Sequence, residues 1–369
     1  MCLLKNIIGS LACTAILCGA GAAAYFYGPW FKDQDAGVSG ETPTTLTAKT
    51  SDCKSCCNGL ETNCDLPINQ VTWAMVHNAM SSNDDSFYAA NNELSLEKAL
   101  VDGYRGLMLD SCLCDGDSIV DLGLDVIQDY VTGGDGEDTE GNKEEKFLGF
   151  CHGKCAAGVR KPETVLNNIR TFLETNPNEV LILEFEVGEG TLELLHQAID
   201  ESGLAKYILR DVENDGTVTN WPTFQQLISA NRRLLVFAHN DGLESCETSQ
   251  CPEGIFYTYD HFSQTNWNDD TCDLSGNDQT ISEKHGFFLM NHWRNNELDL
   301  PSKTNAEEFN TYESLSTRFG KCDERLPNIL AVDFWSTGDV LKFVNDQNIK
   351  IGGGGDAVVA ASRSGSLRK

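Results

Sequence analysis

The sequence predicts an α/β protein built as a (β/α)8 barrel. Eight short runs rich in aliphatic, β-branched and aromatic residues recur at 71–77, 105–112, 147–152, 180–187, 233–239, 255–260, 286–292 and 329–335. Segments with helical periodicity fall between several of them, which is the pattern of strand–helix units in a mostly parallel sheet. The chain beyond its N-terminal stretch, about 300 residues, is long enough for eight such units in one closed sheet.

The chain opens on 26 residues without a charged group, between Lys5 and Lys32. A helix of roughly 20 apolar residues spans a bilayer. Residues 1–31 therefore read either as a signal peptide, with an apolar core at 7–18 and small residues at 20–24, or as an uncleaved signal-anchor helix. In the second reading Tyr25, Phe26, Tyr27 and Trp30 form the interfacial belt. In both, the rest of the chain is translocated and ends up secreted or anchored, outside the cell or in an endomembrane lumen. Residues 32–50, polar and rich in Thr and Gly, are expected to be a flexible stalk. The folded domain is predicted for 51–350 and a disordered, Gly-rich tail for 351–369.

Cysteine usage agrees with translocation. Of 15 cysteines, Cys2, Cys13 and Cys18 belong to the leader, and the 12 that remain fit up to six disulfides in an oxidising compartment. The cluster Cys53, Cys56, Cys57 and Cys64 staples the entry to the domain; zinc is the competing reading, but no second pair and no nearby His supports it. The net charge of −29 argues against a nucleic-acid partner and gives no general attraction to an anionic membrane. An anionic substrate would need a local pocket that works against that field.

The elements follow in order. After the first strand, 95–101 carries Leu96, Ala99 and Leu100 at helical spacing. Pro162 opens a helix as an N1 proline, with Val165, Ile169, Phe172 and Leu173 on one face. Further helices are expected at 191–202, 222–230, 306–319 and 340–345, and long irregular connections at 116–145 and 240–285. Asp211, Glu213, Asp215 and Gly216 begin like a calcium-binding loop, but its twelfth position is Pro222, so the segment reads as a turn.

In such barrels the reactive residues lie at the carboxyl ends of the strands. Here those ends carry His77-Asn78, Asp110, His152, Glu184 with Glu186, Asn291-His292-Trp293 and Asp333. Two imidazoles suit phosphodiester cleavage, one removing a proton from the attacking hydroxyl and the other protonating the leaving oxygen. Asn78, Asp110 and Glu184 are hard oxygen ligands of the kind that hold Ca²⁺.

The ordered set Pro67, Val76-His77-Asn78, Gly103-Tyr104-Arg105-Gly106-Leu107-Met108-Leu109-Asp110 and Cys151-His152 closely resembles the X domain of phosphatidylinositol-specific phospholipase C, most of all its X-domain-only, cysteine-bearing extracellular type. Further echoes lie at 180–184, Trp221-Pro222-Thr223-Phe224, 233–237 and Leu326-Pro327-Asn328-Ile329-Leu330-Ala331-Val332-Asp333-Phe334, so the resemblance spans about 65–348. It implies a distorted TIM barrel and a phosphodiesterase of the phospholipase C type. His77 would be general base and His152 general acid; Asp333 reads either as the carboxylate that orients His77 or as a buried structural Asp. Asn78, Asp110 and Glu184 match three of four family calcium positions, and the fourth is Met108 here. Arg105, His292 and Trp293 are the candidate substrate contacts, although for Arg105 pairing with an acidic strand residue is the preferred role. His196, His239, His261 and His285 have no motif support and are expected to be ordinary surface or loop residues.

The implied substrate is a phospholipid or another inositol phosphodiester, reached at a membrane through the N-terminal segment by a monomeric protein. Two alternatives stand beside it: a phosphodiesterase for another phospholipid, and a barrel that binds lipid or a partner without turnover.

Overall fold

The computed structural model describes residues 46–49, 52–115, 146–210, 212–214, 219–240, 251–275, 286–322 and 326–352, all within the compact unit that begins at Thr45. The leader, most of the stalk and tail, the connection 116–145 and His285 lie outside the described residues. Among the described residues no helix is long and apolar enough to cross a membrane.

In chain order the elements are β1 Trp73–Val76, α1 Leu96–Asp102, β2 Gly106–Cys114, β3 Phe147–Cys151, β4 Val159–Arg160, α2 Pro162–Thr175, β5 Leu181–Val187, α3 Leu192–Glu201, β6 Glu213–Asn214 and β7 Thr219–Asn220. There follow α4 Phe224–Ser229, β8 Leu234–His239, β9 Ile255–Tyr257, α5 Thr258–His261, β10 Phe262–Gln264, β11 Phe287–Asn291, α6 Lys303–Phe309, α7 Tyr312–Phe319, β12 Ile329–Val332 and α8 Val340–Gly352.

Eight parallel strands curl in the hydrogen-bonded order β10-β11-β12-β1-β2-β5-β8-β9, with helices on the outer face. This is a distorted TIM barrel, open between β9 and β10. Several expectations need correction. Residues 46–49, expected in the flexible stalk, are packed into the fold, with Ala48 buried and its N–H donating to Asn176 Oδ1 at 2.9 Å. The apolar run at 147–152 is not a barrel strand: β3 pairs antiparallel with the far end of β2, Ser111 opposite Phe150 and Cys114 opposite Phe147. The run expected at 255–260 holds only β9 and most of a turn of helix, and the eighth barrel strand is β10 just beyond it, at Phe262–Gln264.

Side chains alternate between two cores, as a strand's period of two requires. Trp73, Met75, Ile182, Leu235, Phe237, Phe287, Leu289, Ile329 and Ala331 fill the barrel interior, with Ile68, Trp221 and Phe224 in the same cluster. Ala74, Val76, Leu181, Leu183, Leu234, Val236, Phe288, Met290, Leu330 and Val332 face outward against Leu100, Ile169, Phe172, Leu195 and Phe343 of the helices. Thr223 and Gln226 form a capping box that starts α4. The single helix expected at 306–319 is two, because Thr311 accepts from the backbone N–H of Ser314 and starts α7 afresh. Asn310, freed at that break, donates to the Asp333 carbonyl at 2.9 Å.

The cysteine expectation is met by Cys53–Cys56, Cys57–Cys64, Cys112–Cys151, Cys114–Cys155 and Cys272–Cys322, and Cys251 is also disulfide-bonded. Disulfides in this number belong to an oxidising compartment.

Candidate active site

The interior positions of the strands, continued one step past each carboxyl end, line a cavity of about 560 Å³. Met108 and Asp110 come from β2, Glu184 and Glu186 from β5, His239 from β8 and Asn291 from β11; His77, Trp293 and Asp333 stand on the same alternation beyond β1, β11 and β12.

His77 still pairs with the barrel frame, its N–H donating to the Val332 carbonyl at 3.0 Å. Its Nδ1 lies 2.7 Å from Oδ1 of the buried Asp333. The carboxylate thereby fixes the proton on Nδ1 and leaves Nε2 as the free base. Asn91 donates to both Asp333 oxygens at 3.3 Å, and Asn92 donates to the His77 and Asn78 carbonyls. The indole of Trp293 stacks on the His77 imidazole, centroids 3.7 Å apart and planes 8° apart.

Asn78 adopts the left-handed conformation, φ 44°, which Asn tolerates better than most residues. Its amide lies 3.1 and 3.3 Å from the two Asp110 oxygens and 3.2 Å from His152 Nε2. The orientation that satisfies every group has the NH₂ donating to Asp110 and the amide oxygen accepting from His152. Burial, with the charge of His77 next, holds His152 down at about 4, against the pull of Asp333.

The opposite wall is acidic. Burial, then the neighbouring Glu186 and Glu184, pushes the Asp110 carboxyl well above its usual range, and His239 opposes this. His239 Nδ1 lies 2.5 Å from Glu184 Oε1, which Thr258 also reaches at 3.2 Å. Burial disfavours the charged ring, but Glu184, then Glu186 and Asp110, outweigh it and lift His239 to about 9.

This wall offers hard oxygen donors of the kind a divalent cation takes, but not a closed set of them. Asp110, Glu184 and Glu186 feel one another's charge, and Asn78 and Asp110 would offer oxygens to a cation with the Asn78 amide turned from its present hydrogen bonds. Met108 supplies no oxygen on the same wall, and Glu184 already holds His239. Among the described residues, the only trio of His, Cys, Asp or Glu donors within 4.8 Å of one another is Cys112, Cys151 and Cys155, which are disulfide-bonded.

The structure thus brings together His77, Asn78, Asp110, His152, Glu184, Trp293 and Asp333. It corrects two expected substrate contacts and one dismissal. Arg105 precedes β2, at the other end of the barrel, where its Nε lies 2.7 Å from the buried Glu179. His292 falls between the cavity-lining Asn291 and Trp293, so alternation turns it outward: its Nε2 meets the Phe309 carbonyl at 2.9 Å, and Arg318 lies 3.3 Å from Nδ1. His239, expected to be ordinary, lines the cavity. His261 is set among Trp221, Phe237 and Phe256, and His196 lies 3.9 Å from Asp200 on α3.

An incomplete parallel barrel with two imidazoles and a carboxylate cluster at its mouth is a phospholipase C-like barrel. The family model described as PI-PLC X 1 matches residues 137–348, more than half of the chain, and the chain belongs to that family. The match covers His152, Glu184 and Asp333; His77, Asn78 and Asp110 precede it. A PI-PLC X domain-containing protein of Arabidopsis thaliana is 25% identical over 298 residues, 74% of this chain and 60% of that protein. PI-PLC X domain-containing protein 1 of Arthroderma benhamiae is 26% identical over 223 residues, 56% of this chain and 70% of the relative. The phosphatidylinositol-specific phospholipase C of Listeria monocytogenes superposes with a TM-score of 0.46 at 13% identity, over 77% of this chain and 95% of that one. The chain spans about three fifths of the Arabidopsis protein's length.

Proposed function

We propose that this protein is a phosphoric diester hydrolase that cleaves phosphatidylinositol-type lipids through a two-histidine mechanism and a cyclic phosphate. The observation that carries the reading is the pair His77 and His152 on one cavity wall, the first fixed by Asp333 and the second held by Asn78.

In this mechanism His77 Nε2 removes the proton from the headgroup hydroxyl next to the phosphate. That oxygen attacks phosphorus, the bond from phosphorus to the glycerol oxygen breaks, and His152 gives its Nε2 proton to the departing alkoxide. The products are diacylglycerol and a cyclic phosphodiester, which water opens with the two imidazoles in exchanged roles. His152 is neutral near pH 7 in the resting site, given its value of about 4. The phosphodiester anion supplies the negative charge that raises it to a working acid. Trp293 keeps the His77 ring in plane while the base gains its proton, and Asp333 stabilises the imidazolium. Asn78, Asp110 and Glu184 would hold Ca²⁺, which when bound neutralises charge on a phosphoryl oxygen.

The test is release of water-soluble phosphate from phosphatidylinositol vesicles by the purified protein, with phosphatidylcholine and phosphatidylethanolamine alongside. Release from phosphatidylinositol that disappears in both His77→Ala and His152→Ala supports the reading. Release confined to another headgroup moves the substrate, and no release from any of the three by folded protein rejects it.

A further inference from the structure

His152 stands outside the frame that holds the rest of the site. His77, Asp110, Glu184, His239 and Asp333 all belong to, or directly follow, strands of the parallel barrel. His152 follows β3, whose only backbone pairing with the barrel sheet is the antiparallel one with residues 111–114 of β2, although Phe150 also packs against Phe185 of β5; the chain then passes on to β4. The parallel barrel ladder therefore does not by itself set the place of His152 relative to His77; the β2–β3 pair is the hydrogen-bonded link between them.

Two disulfides clamp that pair. Cys112–Cys151 joins its strands at a Cα separation of 6.0 Å, and Cys114–Cys155 follows at 5.8 Å. Cys112 lies two residues after Asp110, and Cys151 is the residue before His152. The bridge thus ties Asp110 to His152 across the contact made by the Asn78 amide. The strands are fitted to the sulfurs: a Cβ on Gly149 would stand 2.8 Å from Cys114 Sγ. Cys151 is fully buried and Cys112 only partly so, which makes Cys112 the more approachable half of the bridge.

We propose that the Cys112–Cys151 disulfide is the positioning element for His152, and that its reduction by a dithiol switches the enzyme off while the barrel stays folded. The inference rests on the phosphodiesterase reading above. One thiolate of the dithiol attacks Cys112 Sγ and expels the Cys151 thiolate, leaving a mixed disulfide at Cys112. The second thiol of the reagent then displaces Cys112, so the protein gains two electrons and two protons and the dithiol becomes a cyclic disulfide. The barrel ladders and the Cys53–Cys56 and Cys57–Cys64 bridges at the other end of the sheet, where Asn58 bonds the Val180 backbone, are untouched by this step. What changes is the distance over which His152 can deliver its proton, and a misplacement near 1 Å costs about 100-fold.

The Sγ atoms of Cys112, Cys151 and Cys155 lie within 4.8 Å of one another, so a single serine substitution would leave a thiol able to attack the neighbouring bridge. The test variant is therefore C112S/C151S in the full chain, with C53S/C56S as the control. With phosphatidylinositol vesicles, kcat of C112S/C151S is expected to fall about 100-fold with KM within about twofold, while the control keeps both. Hydrogen exchange at 147–153 is expected to rise, with exchange at β5 and β12 unchanged. An unchanged kcat in folded C112S/C151S overturns the proposal. Should that variant not fold, oxidised wild type is titrated with dithiothreitol and alkylated. Activity lost in step with alkylation of Cys112 and Cys151, and regained on reoxidation, supports the proposal; activity that outlasts their alkylation overturns it. If oxidised wild type cleaves no phosphodiester, the enzyme reading fails by itself, and exchange at 147–153 on reduction still decides the positioning role.

Discussion

His77 Nδ1 and Asp333 Oδ1 lie 2.7 Å apart, and Asn91 donates to both oxygens of the same carboxylate. With its two NH bonds from Asn91 and one from the imidazole, Asp333 can only be an acceptor, so the His77 proton is kept on Nδ1. Asp333→Asn would set an NH₂ against Asn91 and His77 and turn the ring to the wrong tautomer. We expect kcat/KM to fall by about 10²–10⁴ with little change in KM, measured on phosphatidylinositol vesicles. Loss of less than about threefold would remove Asp333 from the mechanism.

His239 makes stability depend on alkaline pH. Its value in the folded protein, about 9, lies above the ordinary 6.5. The sign follows: the Glu184–His239 pair contributes fully below pH 6.5, and its contribution is lost as pH rises through 9. We expect the unfolding free energy to decline over that interval in the presence of chelator, by on the order of 3 kcal/mol at most. His239→Gln should remove that slope and lower stability at pH 6. A slope that persists in the variant assigns it to another group.

The crowding of Asp110, Glu184 and Glu186 predicts a response to calcium. Added Ca²⁺ should raise the melting temperature of the purified protein in a concentration-dependent way, and Asp110→Asn should shift the half-point to higher Ca²⁺. Chelation should abolish lipid cleavage and Ca²⁺ should restore it. An unchanged melting temperature with full activity in chelator would take calcium out of the proposal.

Arg105 separates stability from function. It is buried against Glu179, donates to the Leu100 and Tyr104 carbonyls, and lies over Phe172 at the end of the barrel away from the cavity. Arg105→Met should destabilise the fold by about 3–5 kcal/mol, because Glu179 is left buried without its partner. Activity per folded molecule at 20 °C should stay within about twofold. A large rise in KM would return Arg105 to the substrate.

Strand ends and motif order made His77, Asn78, Asp110, His152, Glu184 and Asp333 legible in the sequence, and the structure gathers all six at one cavity or its border. The strand's period of two held information that motif order does not. Counting by twos from Leu235 through Phe237 arrives at His239, and from Phe287 through Leu289 arrives at Asn291 and Trp293, passing over His292. For Arg105 the motif leaves a substrate contact and an acidic partner both open; the structure decides for the partner, because Arg105 precedes β2 at the end away from the cavity. The antiparallel course of β3 left no trace, since a five-residue apolar run looks the same in either direction. Asn91 and Asn92 lie in the connection after β1, where no periodicity marks a residue that folds back on the site.

The most direct test of the account is ³¹P NMR of phosphatidylinositol vesicles incubated with the oxidised wild-type protein in calcium. A five-membered cyclic phosphodiester resonance that builds up, then gives way to a monoester, and that is absent with His77→Ala is the predicted result. A monoester formed from the start without the cyclic species, or a cyclic species made equally well by His77→Ala, would contradict the two-histidine mechanism.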